Sequence, residues 1–502
     1  MCSGLVLAAI LIRLYMVYAS AVISNDGILY VDVAKAIARG DWVTVTKEGF
    51  YNLYPFLIVL LHKIVPDWEL AGRLVSLLLG SAAVIPLFFL FERFLGLKAA
   101  LLAGLFYAIH PKFVEYSSDV LREASFWCFA LFALWLGRGA MLPRRWALIL
   151  PVALMVDLAI FTRLEGLVIA LVIPAWIVWF VWLGDGQWKK AALLLALFIF
   201  VLPLFASPAF LFIKEKTGRW ESGQTVSKAW MLLSAQNEGH AELATGKSPE
   251  ASAVSDNQLS TNRYLVYLVE VSHKFVKALG VVLFPLLVLG VLSRRSRPWS
   301  REEGAVVLWC AIVFVSCVVY GATQGYFGTR HGLSLALPTL GWCGRGFWEL
   351  EGYVRKFLAR KKPGSFSLTV AGTILFLVLL VLLPQDFLSS RSDKADLRKA
   401  GLCLRESGYR GQRFATEPRL TRVGFYGDLN MTFIPEGLPF EKAVKLARED
   451  GSQFFLIDER TTAYSPEERR KAEERGTVVK IPCPAIDNLR DYSMVIYHIT
   501  SR

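Results

Sequence analysis

The chain has 502 residues, 55% hydrophobic and only 19% charged, with mean hydropathy +0.45 and a net charge of +13. A soluble chain carries about a quarter charged residues and keeps its apolar residues in short periodic runs. Here they stand in blocks too long for a globular core, which excludes a soluble enzyme, a nucleic-acid binder explained by its charge, and a peripheral protein with one anchor.

Gly166 to Gly184, Ala191 to Ile213, Gly304 to Thr329 and Pro363 to Gln385 contain no charge at all. Each is long enough to cross ~30 Å of hydrocarbon at ~1.5 Å per residue. In chain order the hydropathy predicts about 11 transmembrane helices, over 3–23, 68–91, 97–110, 118–137, 145–163, 166–184, 190–213, 271–293, 303–322, 331–348 and 366–385. The first run lacks a basic n-region and a small-residue cleavage site, so it reads as a span. Arg13 lies inside it, either snorkelling or facing the protein interior. The third span is short, and the tenth is weakened by glycines.

Alternating these spans collects 17 Lys and Arg in the short loops of one side. By the positive-inside rule that side is cytoplasmic. The other side carries the longer loops 24–67 and 214–270, the short stretches 111–117 and 323–330, and the tail beyond residue 386. Of the net charge, only +2 falls in that tail, from 20 Lys and Arg against 18 Asp and Glu. Cytoplasmic loops therefore account for most of the basic balance, and no nucleic-acid partner is implied.

The tail changes character. Helical patterns at 395–407, 439–450 and 466–475 alternate with strand-like runs at 453–458, 477–481 and 492–499, and short apolar runs stand at 413–415 and 423–426. This predicts a small α/β domain, accessory in role, since it has no phosphate-binding glycine loop. The fold expected is a polytopic α-helical membrane protein, with a transmembrane domain over 1–385 and an extracytoplasmic α/β domain over 386–502. Cys128, Cys310, Cys317 and Cys343 fall in spans as small apolar residues. Cys403 and Cys483 lie in the tail, either as a disulfide in an oxidising compartment or as two free thiols.

Polar residues at the outer boundary carry the chemistry, because burying them is costly without a partner. Asp26 stands where the first span emerges, ahead of an amphipathic stretch that includes Tyr30, and its blander role is a helix N-cap. Between spans three and four, His110, Lys112, Glu115, Asp119, Arg122 and Glu123 run into the start of an apolar span, several on one helical face. Arg163 with Glu165, and Arg330 with His331, each put an arginine where a span meets the outer face. Arginine suits phosphate because its planar fork is bidentate and permanently charged. Such arginines also occur as snorkelling residues. Together these loops suit an anionic group and a hydroxyl near the membrane surface.

The order Asp26-Gly27-x-x-Tyr30, Arg73-Leu74-Val75-Ser76, His110-Pro111 to Asp119, Thr162-Arg163-Leu164-Glu165-Gly166 and Arg330-His331 resembles the membrane glycosyltransferases of the C-type superfamily. Within it, the likeness is to protein O-mannosyltransferases and bacterial transferases acting on lipid A, over residues 1–350. The resemblance implies transfer of a sugar from a polyprenyl-phosphate donor to a hydroxyl outside the cytoplasmic (inner) membrane, with inversion. The acceptor would be a protein, lipid A or a lipid-linked glycan. It assigns the catalytic base to Asp26, and the second acidic or metal-binding role to Asp119 with Glu115 next. Lys112, Arg163, Arg330 and His331 become candidates for the donor phosphate, with Tyr30, His110, Glu123 and Glu165 in support. A divalent metal cation is left open as cofactor. Two departures stand out: Asn25 and Gly27 flank Asp26 where relatives often pair acids, and Arg330-His331 replaces Arg-Tyr. The competing reading is a transporter or flippase for a lipid-linked sugar, although no paired repeat is evident. Loop 214–270, with Trp220, Trp230 and His240, is a candidate acceptor-side lid.

Overall fold

The structure, a computed structural model, describes residues 1–47, 52–218, 256–293, 300–361, 367–387, 391–435, 437–460, 462, 464–481 and 489–500. Two compact units emerge: Met1–Val17 with Tyr30–Phe387, and Tyr18–Leu29 with Leu388–Arg502. Residues 219–255 of the candidate lid, and Cys483, lie outside the described residues.

The first unit is helical. Its elements begin with α1 (Cys2–Ala19), α2 (Asn25–Arg39), α3 (Trp42–Lys47), α4 (Leu53–His62), α5 (Trp68–Ala82) and α6 (Val84–Leu95). The first residues of α2 belong to the second unit. Next come α7 (Leu97–Ile109), α8 (Pro111–Ser118), α9 (Glu123–Ala140), α10 (Ile149–Thr162), α11 (Gly166–Ile177) and α12 (Trp188–Thr217). The last four are α13 (Asp256–Leu292), α14 (Arg301–Gln324), α15 (Thr329–Lys361) and α16 (Ser367–Phe387). Among the described residues six helical stretches are long and apolar enough to cross a membrane, and α7 with α8 would add a seventh. These helices support at least six spans and do not confirm a count of eleven.

Three sequence oddities acquire physical reasons in the fold. The third span is short because the helix breaks at His110-Pro111, where α7 and α8 meet at 54°. Proline cannot continue the helix, so carbonyls one turn back lose their partners. Arg13, fully buried, donates to the carbonyls of Ala108 at 3.2 Å and Tyr107 at 3.5 Å, and to Ser117 Oγ at 2.6 Å. It therefore faces the protein interior. A glycine of the tenth span serves close helix contact: a Cβ at Gly346 would lie 1.8 Å from the Leu286 carbonyl oxygen, and one at Gly290, on the facing α13, 2.0 Å from that of Trp342. Small residues let membrane helices approach to backbone contact, and α13 and α15 pack in that way. The core around them is built on Trp127, Trp176, Trp309, Phe91 and Phe106.

The second unit is an α/β/α sandwich. Its sheet contains β1 (Arg413–Thr416), β2 (Asn430–Phe433), β3 (Phe454–Asp458), β4 (Val478–Ile481) and β5 (Met494–Ile499), in the order β2-β1-β3-β5-β4. β1 runs parallel to β2 and β3, whereas β5 is antiparallel to β3 and β4. Central β3 is buried at every residue, which explains its unbroken apolar run. One face packs Ala415, Phe455, Val495 and Tyr497 against α19 (Phe440–Glu449) and α20 (Pro466–Glu474). The other packs Phe414, Leu456 and Ile496 against α17 (Ala395–Leu404) and α18 (Thr421–Gly427). The expected apolar run at 423–426 is helical, and β2 joins the sheet edge at residues whose sequence carried no clear strand signal. Cys403 is half-buried on α17.

Candidate active site

Three turns of the first unit converge. The first joins α8 to α9: Asp119 ends α8 in extended backbone, and its Oδ1 accepts the N–H of Val120 at 2.8 Å. Ser76 holds this turn, accepting from Leu121 N–H at 3.4 Å, donating to its carbonyl at 2.8 Å and meeting Tyr54 Oη at 2.7 Å. Arg73, one turn earlier on α5, donates to the Val17 carbonyl that closes α1. The Arg73–Ser76 motif is thus a brace for the site. Glu123 opens α9, where an acidic group complements the positive end of the helix.

The second turn joins α10 to α11. It is tight enough that a Cβ at Gly166 would lie 2.4 Å from the Ile160 nitrogen, which only glycine permits. Arg163 takes extended backbone there, and its guanidinium packs between two carboxylates. Nε donates to Glu165 Oε2 at 3.1 Å, while the two terminal nitrogens reach Glu165 Oε1 and Glu123 Oε1. Arg163 is 6% exposed and Glu123 3%. Burial alone would push the Glu165 carboxyl up, but the Arg163 charge and hydrogen bonds hold it well below the usual carboxylate range. The second oxygen of Glu123 is buried and has no hydrogen-bond partner among the described residues.

The third turn opens α15. Gly328 N–H donates to His331 Nδ1 at 3.3 Å, so the imidazole is neutral and carries its proton on Nε2, which stands 3.9 Å from Glu165 Oε1. Tyr320 and Phe327 pack on the His331 ring. Arg330, half-buried, acts electrostatically on both His331 and Tyr320, and Tyr320 also feels Arg122, Arg163 and Glu165. The Arg122 guanidinium lies 5.8 Å from the Tyr30 ring centre and donates to the Thr162 carbonyl at 3.5 Å. Tyr30 in turn meets Tyr54 edge-on.

The structure therefore gathers Tyr30, Glu123, Arg163, Glu165, Arg330 and His331, with Asp119 at the first turn, and adds Arg122, Tyr54 and Tyr320. Arg122 stands in the sequence among the charges leading into α9 but carries no assigned role there, and Tyr320 lies in an apolar run. Lys112 and Glu115 instead pair with each other at 2.7 Å on the exposed side of α8. His110 caps α8, its Nδ1 accepting from Lys112 N–H at 3.2 Å. Asp26 lies in the first turn of α2, in the second unit. It is not the N-cap: Ser24 Oγ accepts the Gly27 N–H at 3.0 Å.

No group of three or more His, Cys, Asp or Glu among the described residues is arranged to hold a metal ion. Glu115 pairs with Lys112, and one Asp119 oxygen accepts a backbone N–H.

Residues 52–210 match a family model described as dolichyl-phosphate-mannose-protein mannosyltransferase. No curated protein sequence matches the chain. Among solved structures it resembles ArnT from Cupriavidus metallidurans bound to undecaprenyl phosphate, at 13% identity and TM-score 0.61, over 99% of this chain and 98% of that one. It also resembles the Archaeoglobus fulgidus oligosaccharyltransferase in complex with Zn and sulfate, at 12% identity and TM-score 0.59, over 90% and 68% of the two chains. A third likeness is to AglB of the same archaeon with an inhibitory peptide and a dolichol-phosphate, at 12% identity and TM-score 0.55, over 91% and 69%. At such identity the likeness is one of fold. The sequence resemblance to the C-type superfamily is borne out, and the chain has the fold of its multi-pass membrane proteins.

Proposed function

We propose that this chain is an integral-membrane glycosyltransferase that moves a sugar from a polyprenyl-phosphate donor to an acceptor hydroxyl at the outer face of the cytoplasmic membrane, with inversion. The observation that carries the reading is the cluster of Arg122, Arg163 and Arg330 with Glu123 and Glu165, three cations against two carboxylates on a C-type fold. A phosphodiester-linked sugar has a good leaving group. It needs a base for the incoming hydroxyl and positive charge for the departing phosphate, and little general-acid help.

In this reading Arg330 and Arg122, both half-buried, meet the phosphate. Arg163, clamped by two glutamates, organises the turn beside them. Asp26 takes the proton of the acceptor hydroxyl as its oxygen bonds to the anomeric carbon. The bond from that carbon to the phosphate oxygen breaks, and its electron pair leaves with the polyprenyl phosphate. One displacement needs no carboxylate nucleophile, and inversion follows. The buried second oxygen of Glu123, with no hydrogen-bond partner among the described residues, is an acceptor suited to a sugar hydroxyl. No step is routed through a metal. The acceptor class, whether protein, lipid A or lipid-linked glycan, belongs to the same proposal.

The test is an assay of the purified protein in lipid nanodiscs with a panel of polyprenyl-phosphate sugars, reading release of polyprenyl phosphate. Asp26→Asn is expected to abolish turnover while donor binding persists. Retained turnover refutes Asp26 as the base, and failure of every donor refutes the class of substrate.

A further inference from the structure

Residues 20–24, between α1 and α2, form no regular structure, so their backbone groups need partners elsewhere. The second unit supplies them. Ile23, fully buried, donates its N–H to Tyr426 Oη at 3.2 Å, and its carbonyl accepts from Arg422 Nε at 2.9 Å. Two residues earlier, the Ala21 carbonyl accepts from Arg398 at 3.1 Å. The Arg398 guanidinium also lies 5.0 Å from the centre of the Tyr426 ring, tying the donors together.

These side chains are presented by a specific piece of packing. Arg422 and Tyr426 are four residues apart on α18 and share a face. α18 lies against α17, which carries Arg398, at a distance only glycine allows: a Cβ at Gly401 would fall 2.6 Å from the Val423 carbonyl oxygen and 2.8 Å from Tyr426 Cβ. Gripped at Ile23, the chain has one residue, the capping Ser24, before α2 begins with Asp26 in its first turn.

We propose that Arg422, Tyr426 and Arg398 are positioning residues, through which the C-terminal α/β domain grips the backbone three residues before Asp26 and sets where its carboxylate stands. The functional half of this inference rests on Asp26 being the base; the grip itself does not. Backbone hydrogen bonds fix main-chain position whatever the side chains do, so the domain sets the course of the chain leading into Asp26.

Hydrogen exchange of the full chain in nanodiscs tests the grip without any substrate. Tyr426→Phe removes one oxygen and is expected to lower protection of the Ile23 amide by about two- to tenfold, the worth of one hydrogen bond. Arg422→Ala with Tyr426→Phe is expected to expose the whole of 18–29, while β3 and β5 stay protected. Unchanged protection of 18–29 overturns the proposal, and the single Tyr426→Phe variant decides the matter if the double variant does not fold. The functional half is read with mannosyl undecaprenyl phosphate, or the panel donor that turns over. Arg422→Ala should lower kcat at least tenfold with donor KM within twofold, and Arg422→Lys should restore part of kcat. A loss confined to KM, or none, overturns the positioning role. An active Asp26→Asn variant would refute the base assignment alone, leaving the exchange result to judge the grip.

Discussion

Replacing Arg163 by alanine removes the cation that pairs with both Glu123 and Glu165 and leaves two carboxylates facing one another in a largely water-excluded turn. Arg163 is 6% exposed and Glu123 3%. Removing one partner of a buried ion pair costs about 3–5 kcal/mol, mostly the penalty of the charge left behind. The design that separates this from mere loss of a contact is the triple variant Glu123→Gln, Arg163→Met, Glu165→Gln, which keeps the volume and removes all three charges. It is expected to recover most of the stability and none of the transfer. pH gives a second handle. In the native protein Glu165 is held below its ordinary range, so its contribution is present at neutral pH and fades as pH falls through the acid range. In Arg163→Ala the main offset to burial is gone, so the Glu165 carboxyl shifts toward its protonated form and stability should rise on acidification. Thermal unfolding of nanodisc-embedded protein between pH 4 and 8 checks both trends. An Arg163→Ala variant as stable as the native protein at neutral pH, or one that loses stability on acidification as the native protein does, refutes the reasoning.

The remaining predictions are narrower. Arg330→Gln should raise donor KM about 10- to 150-fold, the range of one charge-assisted hydrogen bond at about 1.5–3 kcal/mol, without altering the unfolding temperature; a titration of undecaprenyl phosphate binding checks it. Arg13→Met should destabilise the protein by about 3 kcal/mol, because the carbonyls freed at the α7–α8 break and Ser117 lose their buried donor; native-like stability in thermal unfolding would refute that account. Gly346→Val drives a side chain into the Leu286 carbonyl and is expected to abolish recovery of monodisperse protein, as read by size-exclusion chromatography.

How much of this was legible beforehand follows from the range of the forces involved. Hydropathy and periodicity act within a helix or strand, so the apolar blocks, the amphipathic start of α2, buried β3 and the helix and strand alternation of the tail could all be read from local sequence. So could the choice of Arg163, Glu165, Arg330 and His331 as a set, because charge at the end of an apolar run is conspicuous wherever it occurs. The likeness to the C-type glycosyltransferases was carried in the same way, by the order of short motifs.

What tertiary structure decided is pairing. That Arg163 meets Glu123, 40 residues away, depends on how α9 packs against α10, and no local pattern encodes it. The same holds for Arg13 answering the α7–α8 break and for Lys112 being spent on Glu115 rather than joining the arginines. It holds most of all for Ile23, whose hydrogen bonds to Tyr426 and Arg422 span about four hundred residues of sequence. Composition determined that this chain enters a membrane and which residue types face the boundary. Packing determined which charges cancel, which buried carboxylate oxygen has no partner among the described residues, and which domain holds the segment bearing Asp26.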